Sequence, residues 1–280
     1  MLPASGFCLL PSVFCYTPPV PGIAATIITL NESANLAAAI ESVRWADEII
    51  VVDAESTDDT VAIARRYTDR VIVRPWPGFV EQKNFAAAQA SHDWIFSLDA
   101  DERVTPELAA EIRALVEAGP PCPGYRMPRV SQYLGRWIRS TDWYPDHQLR
   151  LYDRRRARWA GRYVHESIQT EGEPGRLRGE LQHYPYLDVS HHLRTIDRYS
   201  SLAARQLFED GRRTGPFQIV LHADAAFLRN YLLRGGIRDG AAGLVVSLLN
   251  SYYVAMKFVK LWELAGRQDS PRQPSVDSSQ

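Results

Sequence analysis

Trp94-Ile95-Phe96-Ser97-Leu98-Asp99-Ala100-Asp101 is the stretch that decides the fold. It begins with a short apolar run, which predicts a buried strand, and the strand ends at an aspartate. Helical segments separate it from similar apolar runs earlier in the chain, and this alternation predicts an α/β fold with a mostly parallel sheet. Those earlier runs are Ala24–Leu30, Glu48–Asp53 and Val71–Val73.

Capping residues and apolar spacing mark the helices between these strands. Asn31 or Ser33 is expected to cap a helix that runs through Arg44. The string Ser56-Thr57-Asp58-Asp59 fits a capping box before a helix from Thr60 to Tyr67. Further helices are predicted over Val80–Ala90 and from a Thr105 cap with Pro106 at the first position to a closing Gly119.

Two of the predicted strands end in a carboxylate, at Asp53 and at Asp99. Parallel sheets bind ligands beyond the carboxyl ends of their strands, so both side chains should lie in one crevice. Asp99 and Asp101 suit a hard divalent cation, Mg²⁺ or Mn²⁺, held between the two carboxylates and a diphosphate. The chain has neither G-x-G-x-x-G after its first strand nor a P-loop motif, which argues against dinucleotide and P-loop enzymes.

A phosphatase of the haloacid dehalogenase type also places D-x-D after an apolar strand. Such an enzyme needs a small residue two positions after the second aspartate, where this chain has Arg103. It also carries the motif on its first strand, whereas here the motif follows the fourth predicted strand. We therefore exclude this class.

Composition and charge limit the classes of partner that the protein is expected to bind. The formal net charge of the 280 residues is −1, so no global field favours nucleic acid. Ten arginines nevertheless lie between Arg126 and Arg162, which indicates either a solvated surface or a face that meets an anionic acceptor. The three cysteines have no metal-ligand spacing and are too few for a disulfide framework, which favours a reducing, cytoplasmic compartment.

An ordered set of motifs resembles the inverting glycosyltransferases of family 2. Within that family, the chain is similar to a bacterial branch of lipopolysaccharide-core glucosyltransferases through Trp143–Asp146, Gln148–Tyr152, Val164–Glu166 and Lys260–Glu263. The resemblance implies a GT-A fold with a helical C-terminal appendage. The motifs that carry the family resemblance are Thr29–Glu32, Val52–Thr60, Gln82–Asn84 and Leu98–Glu102.

The resemblance also implies a nucleotide-sugar donor, most simply UDP-linked. Asp53 would accept a hydrogen bond from the uracil N3–H, and Lys83 would face the diphosphate. Ala54-Glu55 departs from the small residues usual in the family and adds bulk near the nucleotide. The full set of expected donor-binding residues is Thr29, Asn31, Glu32, Asp53, Lys83, Asn84 and Asp99.

An inverting transfer needs a carboxylate that removes the proton of the attacking hydroxyl. Asp142, Asp146 and Glu166 are the candidates; we expect Asp146, which follows an aromatic pair and Pro145, with Glu166 as the alternative. His165 is either a third metal ligand or a structural residue. On the acceptor side we expect Arg150, Trp143 and Tyr144. The two aromatic residues, like Trp137, either stack on sugar faces or pack in the core.

The sequence divides into unequal parts. Residues 23–185 are the expected GT-A domain, with a donor half (23–120) and an acceptor half (121–185), and residues 186–266 form a helical region. Residues 1–22 are expected to be a disordered or misassigned extension, and 267–280 a disordered tail. The apolar stretch Gly240–Met256, followed by Lys257, Lys260 and Trp262, predicts an interfacial helix at the inner membrane face; helix packing is the alternative.

The resemblance implies a metal-dependent inverting transfer of a sugar, glucose from UDP-glucose being the first expectation. The expected acceptor is a lipopolysaccharide core or another anionic, lipid-linked glycan. A polyprenyl-phosphate glycosyltransferase is the alternative within the same chemistry. Outside enzymes, the alternative is a non-catalytic module that binds a sugar nucleotide or a glycan.

Overall fold

The computed structural model describes residues 21–161 and 166–269. Its donor half alternates strands and helices, as the sequence predicts. Each of these strands is an apolar run bounded by polar turns, and most of their residues are buried. The elements are β1 (Ile23–Thr29), α1 (Leu36–Ser42), β2 (Glu48–Asp53), α2 (Thr60–Ala64), β3 (Val71–Val73), α3 (Phe79–Ala88) and β4 (Trp94–Asp99).

Short strands and one helix make up the rest of the chain up to residue 183; the first of these strands and the helix complete the donor half, and the others form the acceptor half. Thr105 caps that helix as predicted, since its Oγ1 accepts a hydrogen bond from the Leu108 amide at 3.2 Å. The elements are β5 (Glu102–Val104), α4 (Pro106–Glu117), β6 (Gly124–Tyr133), β7 (Arg136–Ile138), a 3₁₀ turn (Thr141–Trp143), β8 (Asp146–Asp153), β9 (Ala157–Ala160), β10 (Ser167–Thr170), β11 (Gly175–Arg176) and β12 (Leu181–His183).

One mixed sheet joins the two halves in the order β3-β2-β1-β4-β8-β6-β12-β5. The first four strands of this order are parallel, whereas β8 runs antiparallel to both β4 and β6. In the described part of the chain, β9 and β10 pair apart from this main sheet. Apolar side chains on both faces of the sheet are buried under the flanking helices.

The C-terminal region is helical. It consists of α5 (Val189–Glu209), α6 (Pro216–Leu228), a π-helical turn (Arg229–Leu233), a 3₁₀ turn (Gly236–Asp239) and α7 (Gly240–Asp269). Asp188 caps α5, since its Oδ1 accepts a hydrogen bond from the His191 amide at 2.6 Å. Nearly all of the predicted extension (1–22) and tail (267–280) lies outside the described residues.

Two predicted N-caps differ in the structure. The capping box at Ser56–Asp59 does not form; instead Asp58 accepts a hydrogen bond from the Thr60 amide at 3.0 Å. Asn35, not Asn31 or Ser33, precedes α1. Asn31 lies in the left-handed region and bonds across to the loop after β2. In both cases, contacts between neighbouring loops replace a local cap.

Candidate active site

The carboxyl ends of β1, β2 and β4 bring the predicted donor residues to one edge of the sheet. Thr29 pairs in register with Asp53, and Ile28 pairs with Asp99. Asp53 is fully buried, and its carboxylate accepts hydrogen bonds from the amide and hydroxyl of Ser56. Within the described ranges, the buried Thr29 hydroxyl has no hydrogen-bond partner. The strand ends therefore bring Thr29, Asp53 and Asp99 to one edge of the sheet, and the Thr29 hydroxyl is unused by the described residues.

The loops after β1 and β2 are joined by hydrogen bonds. Asn31 Oδ1 accepts from the Thr57 amide at 2.8 Å, and Glu32 donates its amide to Thr60 Oγ1 at 2.8 Å. Asn84, on α3, pairs through both ends of its amide with the Trp159 backbone on β9. Asn31 and Asn84 thus have structural contacts, and their contact with a donor stays a prediction.

Asp99 is held between two cations. Its Oδ1 lies 2.9 Å from Lys83 Nζ and its Oδ2 lies 2.6 Å from an Arg150 nitrogen. Burial alone would raise the pKa of Asp99, but the charges of Arg150 and Lys83 outweigh it and hold that pKa well below the usual range. Lys83 is itself buried and its ammonium lies 4.2 Å from the centre of the Trp159 ring. Asp99 is therefore a charged, fixed carboxylate.

Asp101 has a different partner. Its Oδ2 lies 3.3 Å from Nε2 of His183, whose Nδ1 is 2.9 Å from the Ser131 hydroxyl. Burial opposes ionisation of Asp101, yet the neighbouring His183 lowers the pKa of that carboxyl. The chemistry of this pair suits a divalent cation, since carboxylate and imidazole are ligands that Mn²⁺ accepts and carboxylate is the ligand that Mg²⁺ prefers. The predicted ligand His165 lies outside the described residues.

Three or more Asp, Glu, His or Cys side chains do not converge on a preformed metal site anywhere in residues 21–161 and 166–269. Asp99 is already neutralised by its two cations, whereas the ion-pair partner of Asp101 among the described residues is the imidazole of His183. A cation would accordingly take Asp101 and His183 from the protein and complete its coordination with phosphate oxygens and water.

Glu102 organises the charges behind the crevice. It is fully buried, and its Oε1 accepts from Arg150 at 2.6 Å and from Arg129 at 2.9 Å. Its Oε2 accepts the Asp99 amide at 3.1 Å. Arg129 then reaches Asp146 Oδ2 through two nitrogens at 2.6 and 2.9 Å. A continuous network of alternating charges therefore joins the D-x-D segment to Asp146.

The structure corrects the predicted place of Arg150. We expected this residue on the acceptor side, but its side chain is buried between Asp99 and Glu102. Strand β8 runs antiparallel to β4, and this pairing turns Arg150 towards the end of β4. Arg150 therefore belongs to the charged network under the D-x-D segment.

Several residues predicted on the acceptor side contact other parts of the protein. Trp143 packs against Tyr133, Tyr186 and His192, in line with the core-packing alternative. The Tyr144 hydroxyl donates to Glu180 at 3.1 Å. Asp142 is bound by cations of the helical region, with Arg229 at 2.7 Å. Stacking of Trp143 on a sugar and a base role for Asp142 are therefore not supported.

Asp146 and Glu166 are the carboxylates that remain as candidate bases. Asp146 is the first residue of β8, and its Oδ1 accepts a hydrogen bond from the side-chain amide of Gln148 at 2.6 Å. Glu166 Oε2 is buried and, as far as the described residues show, lacks a hydrogen-bond partner. Burial raises the pKa of Tyr199, and the charges of Glu166 and Asp101 raise it further against the effect of Arg198, so both carboxylates act on one tyrosine.

Glu32 also lies close to the D-x-D segment. Burial raises the pKa of Glu32; the hydrogen bond from Asn35 opposes the shift, and the charges of Asp101, Asp58 and Asp99 add to it. The donor-binding role of Glu32 stays a prediction. Sequence reasoning missed Glu102, Arg129 and His183; Glu102 stood next to the motif, but the other two come from distant strands.

The chain is similar to known glycosyltransferases over most of its length. A sequence profile described as "Glycosyl transferase family 2" matches residues 25–171. Lipopolysaccharide core biosynthesis glycosyltransferase LpsC of Rhizobium meliloti is 32% identical over 264 residues, covering 92% of this chain and 97% of its own. The uncharacterized glycosyltransferase RP128 of Rickettsia prowazekii is 31% identical and covers 87% of each chain.

Among solved structures, glucosyl-3-phosphoglycerate synthase of Mycobacterium tuberculosis, in complex with Mg²⁺ and UDP, is 25% identical. The superposition covers 39% of this chain and 44% of the other, with a TM-score of 0.35. A score this low does not support a comparison of the two sites.

Proposed function

Because the chain belongs to glycosyl transferase family 2, we propose that it transfers a hexose, with inversion, from a UDP-sugar to a lipopolysaccharide core or a similar lipid-linked glycan. The lipopolysaccharide acceptor follows the name of the Rhizobium relative. The observation that carries the donor chemistry is the end of β4, where Asp99 and Asp101 are flanked by Lys83, Arg150 and His183. Such a mixture of carboxylates and cations suits a metal-bound diphosphate.

Mg²⁺ or Mn²⁺, when bound, would supply Lewis-acid stabilisation of the departing nucleoside diphosphate. Asp101 and His183 would hold it, with Asp99 fixed behind them. Asp53, Thr29 and Glu32 would contact the base and ribose, where the Thr29 hydroxyl is unused by the described residues. Lys83 would balance phosphate charge from its place beside Asp99.

We assign the general base to Asp146. Its carboxylate has a fixed orientation, because Arg129 and Gln148 hold it. Glu166 stays the alternative, because its buried Oε2 has no hydrogen-bond partner among the described residues. Asp146→Asn should lower transfer roughly 10²–10⁴-fold, because an amide cannot accept the proton, while donor binding remains.

The matched variant for this assignment is Glu166→Gln. Both variants are compared by transfer rate, by Kd for UDP and by thermal unfolding, because Asp146→Asn also removes a partner of Arg129. If Asp146→Asn transfers sugar at nearly the wild-type rate while Glu166→Gln loses nearly all transfer activity, the base is Glu166 and our assignment is wrong.

The reaction itself is tested by nucleotide release across a panel of sugar nucleotides, followed by analysis of the product. UDP-glucose should give the highest rate, with a product whose new bond survives mild acid. An acid-labile sugar–phosphate bond would instead identify a polyprenyl-phosphate glycosyltransferase. Donor binding without transfer or slow donor hydrolysis would identify a non-catalytic module.

We further propose that the enzyme works at the cytoplasmic face of the inner membrane, where a lipid-linked acceptor is available. One helix in the described part of the chain, Gly236–Arg267, is long and apolar enough to cross a membrane by length and composition. Lys260, near the end of this helix, already has protein partners. Its Nζ lies 2.7 Å from the Asp197 carboxylate and within 2.9 Å of two serine hydroxyls of α5. The headgroup role expected for Lys260 therefore has no support here, and we propose that another surface meets the lipid.

A further inference from the structure

The helical region ends in a hairpin whose tip is apolar and exposed. Helices α6 and α7 pack side by side: Ser251 on α7 donates to the Ala223 carbonyl on α6 at 2.7 Å, and the rings of His222 and Phe258 stack at 4.4 Å. The chain reverses through the π-helical and 3₁₀ turns. Exposed side chains there, from 37% for Leu244 to 83% for Leu233, form what we call the tip cluster: Leu228, Leu232, Leu233, Ile237, Leu244 and Leu248.

A cluster of exposed large aliphatic side chains is unusual on a monomeric soluble protein and marks an interaction surface. The spacing is regular, since Leu228 and Leu232 lie four residues apart, as do Leu244 and Leu248. Each pair therefore occupies one helix face. Only 22% of the most apolar window of this helix is buried, so α7 is not the core helix of a globular domain.

Cations surround the tip cluster. Arg229, Arg234 and Arg238 are exposed on the turns, and Arg136 approaches Gly240, whose added Cβ would lie 3.9 Å from an Arg136 nitrogen. Two carboxylates, Asp142 and Asp239, also lie at the tip. An exposed carboxylate, Asp224, lies one helical turn further from the tip than Leu228. Arg229 and Arg234 both pair with Asp142, and the four arginines named here outnumber the three carboxylates by one. The charge at the tip is thus net positive, which suits an anionic surface.

The other side of the tip is fixed to the catalytic half. The Thr141 amide donates to the Arg234 carbonyl at 3.2 Å, and the Asp142 amide donates to Asn230 Oδ1 at 2.7 Å. Asp239 accepts from the Arg139 amide at 3.1 Å. These residues precede Asp146 by only a few positions. Whatever the tip binds is therefore placed next to the acceptor side of the crevice.

We propose that the tip cluster docks into an anionic lipid bilayer and places the acceptor side of the crevice at the membrane surface. The inference rests on the proposed function for the lipid-linked acceptor. Apolar side chains ringed by arginines are the signature of a surface that enters the headgroup region, and the contacts of α7 with α5 and α6 favour a hairpin that lies on the membrane over a helix that spans it.

The test is sedimentation of the full chain with vesicles of zwitterionic lipid, with or without a fraction of anionic phosphatidylglycerol. The wild type should bind the anionic vesicles more tightly, and salt should weaken binding. Leu232→Gln with Leu233→Gln should weaken it roughly 10- to 100-fold, because two aliphatic side chains no longer enter the bilayer. Arg238→Glu should weaken binding to anionic vesicles alone, roughly 10- to 30-fold.

The matched control is Tyr67→Gln with Val73→Gln, which changes two exposed apolar side chains near the far edge of the sheet and should leave binding unchanged. Thermal unfolding of all variants checks that the fold is retained. Slow metal-dependent hydrolysis of the donor is measured without vesicles and should be equal in wild type and tip variants. If the wild type shows no donor hydrolysis, the proposed function is contradicted, but vesicle binding would still test the docking surface.

Three results would overturn the docking surface. The first is wild-type protein that stays in the supernatant with anionic vesicles, and the second is tip variants that sediment as the wild type does. The third is a dimer in solution that Leu232→Gln with Leu233→Gln converts to a monomer while vesicle binding is absent, which would assign the tip cluster to a second copy of this chain.

Discussion

Glu102 carries a buried negative charge that Arg129, Arg150 and the Asp99 amide share. Glu102→Gln keeps the shape of the side chain but leaves two guanidinium groups facing a neutral amide. Removing one member of a buried ionic network is costly, so we expect a loss of about 3 kcal/mol in the free energy of unfolding. Urea unfolding of the metal-free, donor-free protein measures it.

The control for Glu102 is Glu41→Gln, which removes the partner of Arg44 on the exposed face of α1. An exposed ion pair of this kind contributes about 0–1 kcal/mol. Equal losses for the two variants would mean that the buried network does not stabilise the fold.

Among the elements, α5 and α7 are joined by a charged group, the partly buried Lys260 of α7. Lys260 donates to the Asp197 carbonyl, the Asp197 carboxylate and two serine hydroxyls. Lys260→Met should lower the free energy of unfolding by about 2 kcal/mol, because hydrogen bonds to a charged group are lost. Lys257→Met, three residues earlier, removes a cation that lies against the Tyr253 and Phe258 rings and should cost less.

Thermal or urea unfolding distinguishes the two lysine variants, and vesicle binding should be unchanged in Lys260→Met. A large loss of vesicle binding in that variant, without loss of stability, would restore the headgroup role that the sequence first suggested.

The parallel half of the sheet was predictable because its signals are local. Each of β1, β2 and β4 is an apolar run, and Asp53 and Asp99 mark the ends of two of them. The charged network was not predictable, because it depends on strand order. Arg129 and Arg150 meet Glu102 only since β8 and β6 insert between β4 and β12, and β12 brings His183 to Asp101. No spacing in the sequence encodes that order.

Across the whole molecule, His192 joins the helical region to the sheet. This α5 residue is buried, stacks on Tyr186 at 3.8 Å and lies 2.9 Å from the Tyr133 hydroxyl on β6. Burial, with the nearby His191, lowers the pKa of His192 to about 4 from 6.5. Between these values the unfolded chain binds the proton and the folded protein does not, so stability falls as the pH falls from 6.5 to about 4.

The full loss from this histidine is about 3 kcal/mol. Unfolding free energies from pH 7 to pH 4 measure it, and His192→Phe should remove this part of the slope. His222→Gln changes an exposed histidine and should leave the slope as it is. The same slope in His192→Phe and wild type would show that another group governs the acid sensitivity.

The central claim is that the end of β4 performs metal-dependent sugar transfer, and one measurement tests it most directly. UDP release from UDP-glucose, with a truncated lipopolysaccharide acceptor and Mn²⁺, is compared between wild type and Asp101→Asn, with the distant Asp69→Asn as control. We predict that a chelator and Asp101→Asn each lower the rate roughly 100-fold or more, because stabilisation of the leaving diphosphate is lost, while Asp69→Asn is unaffected. A rate that neither the chelator nor Asp101→Asn changes would contradict the account.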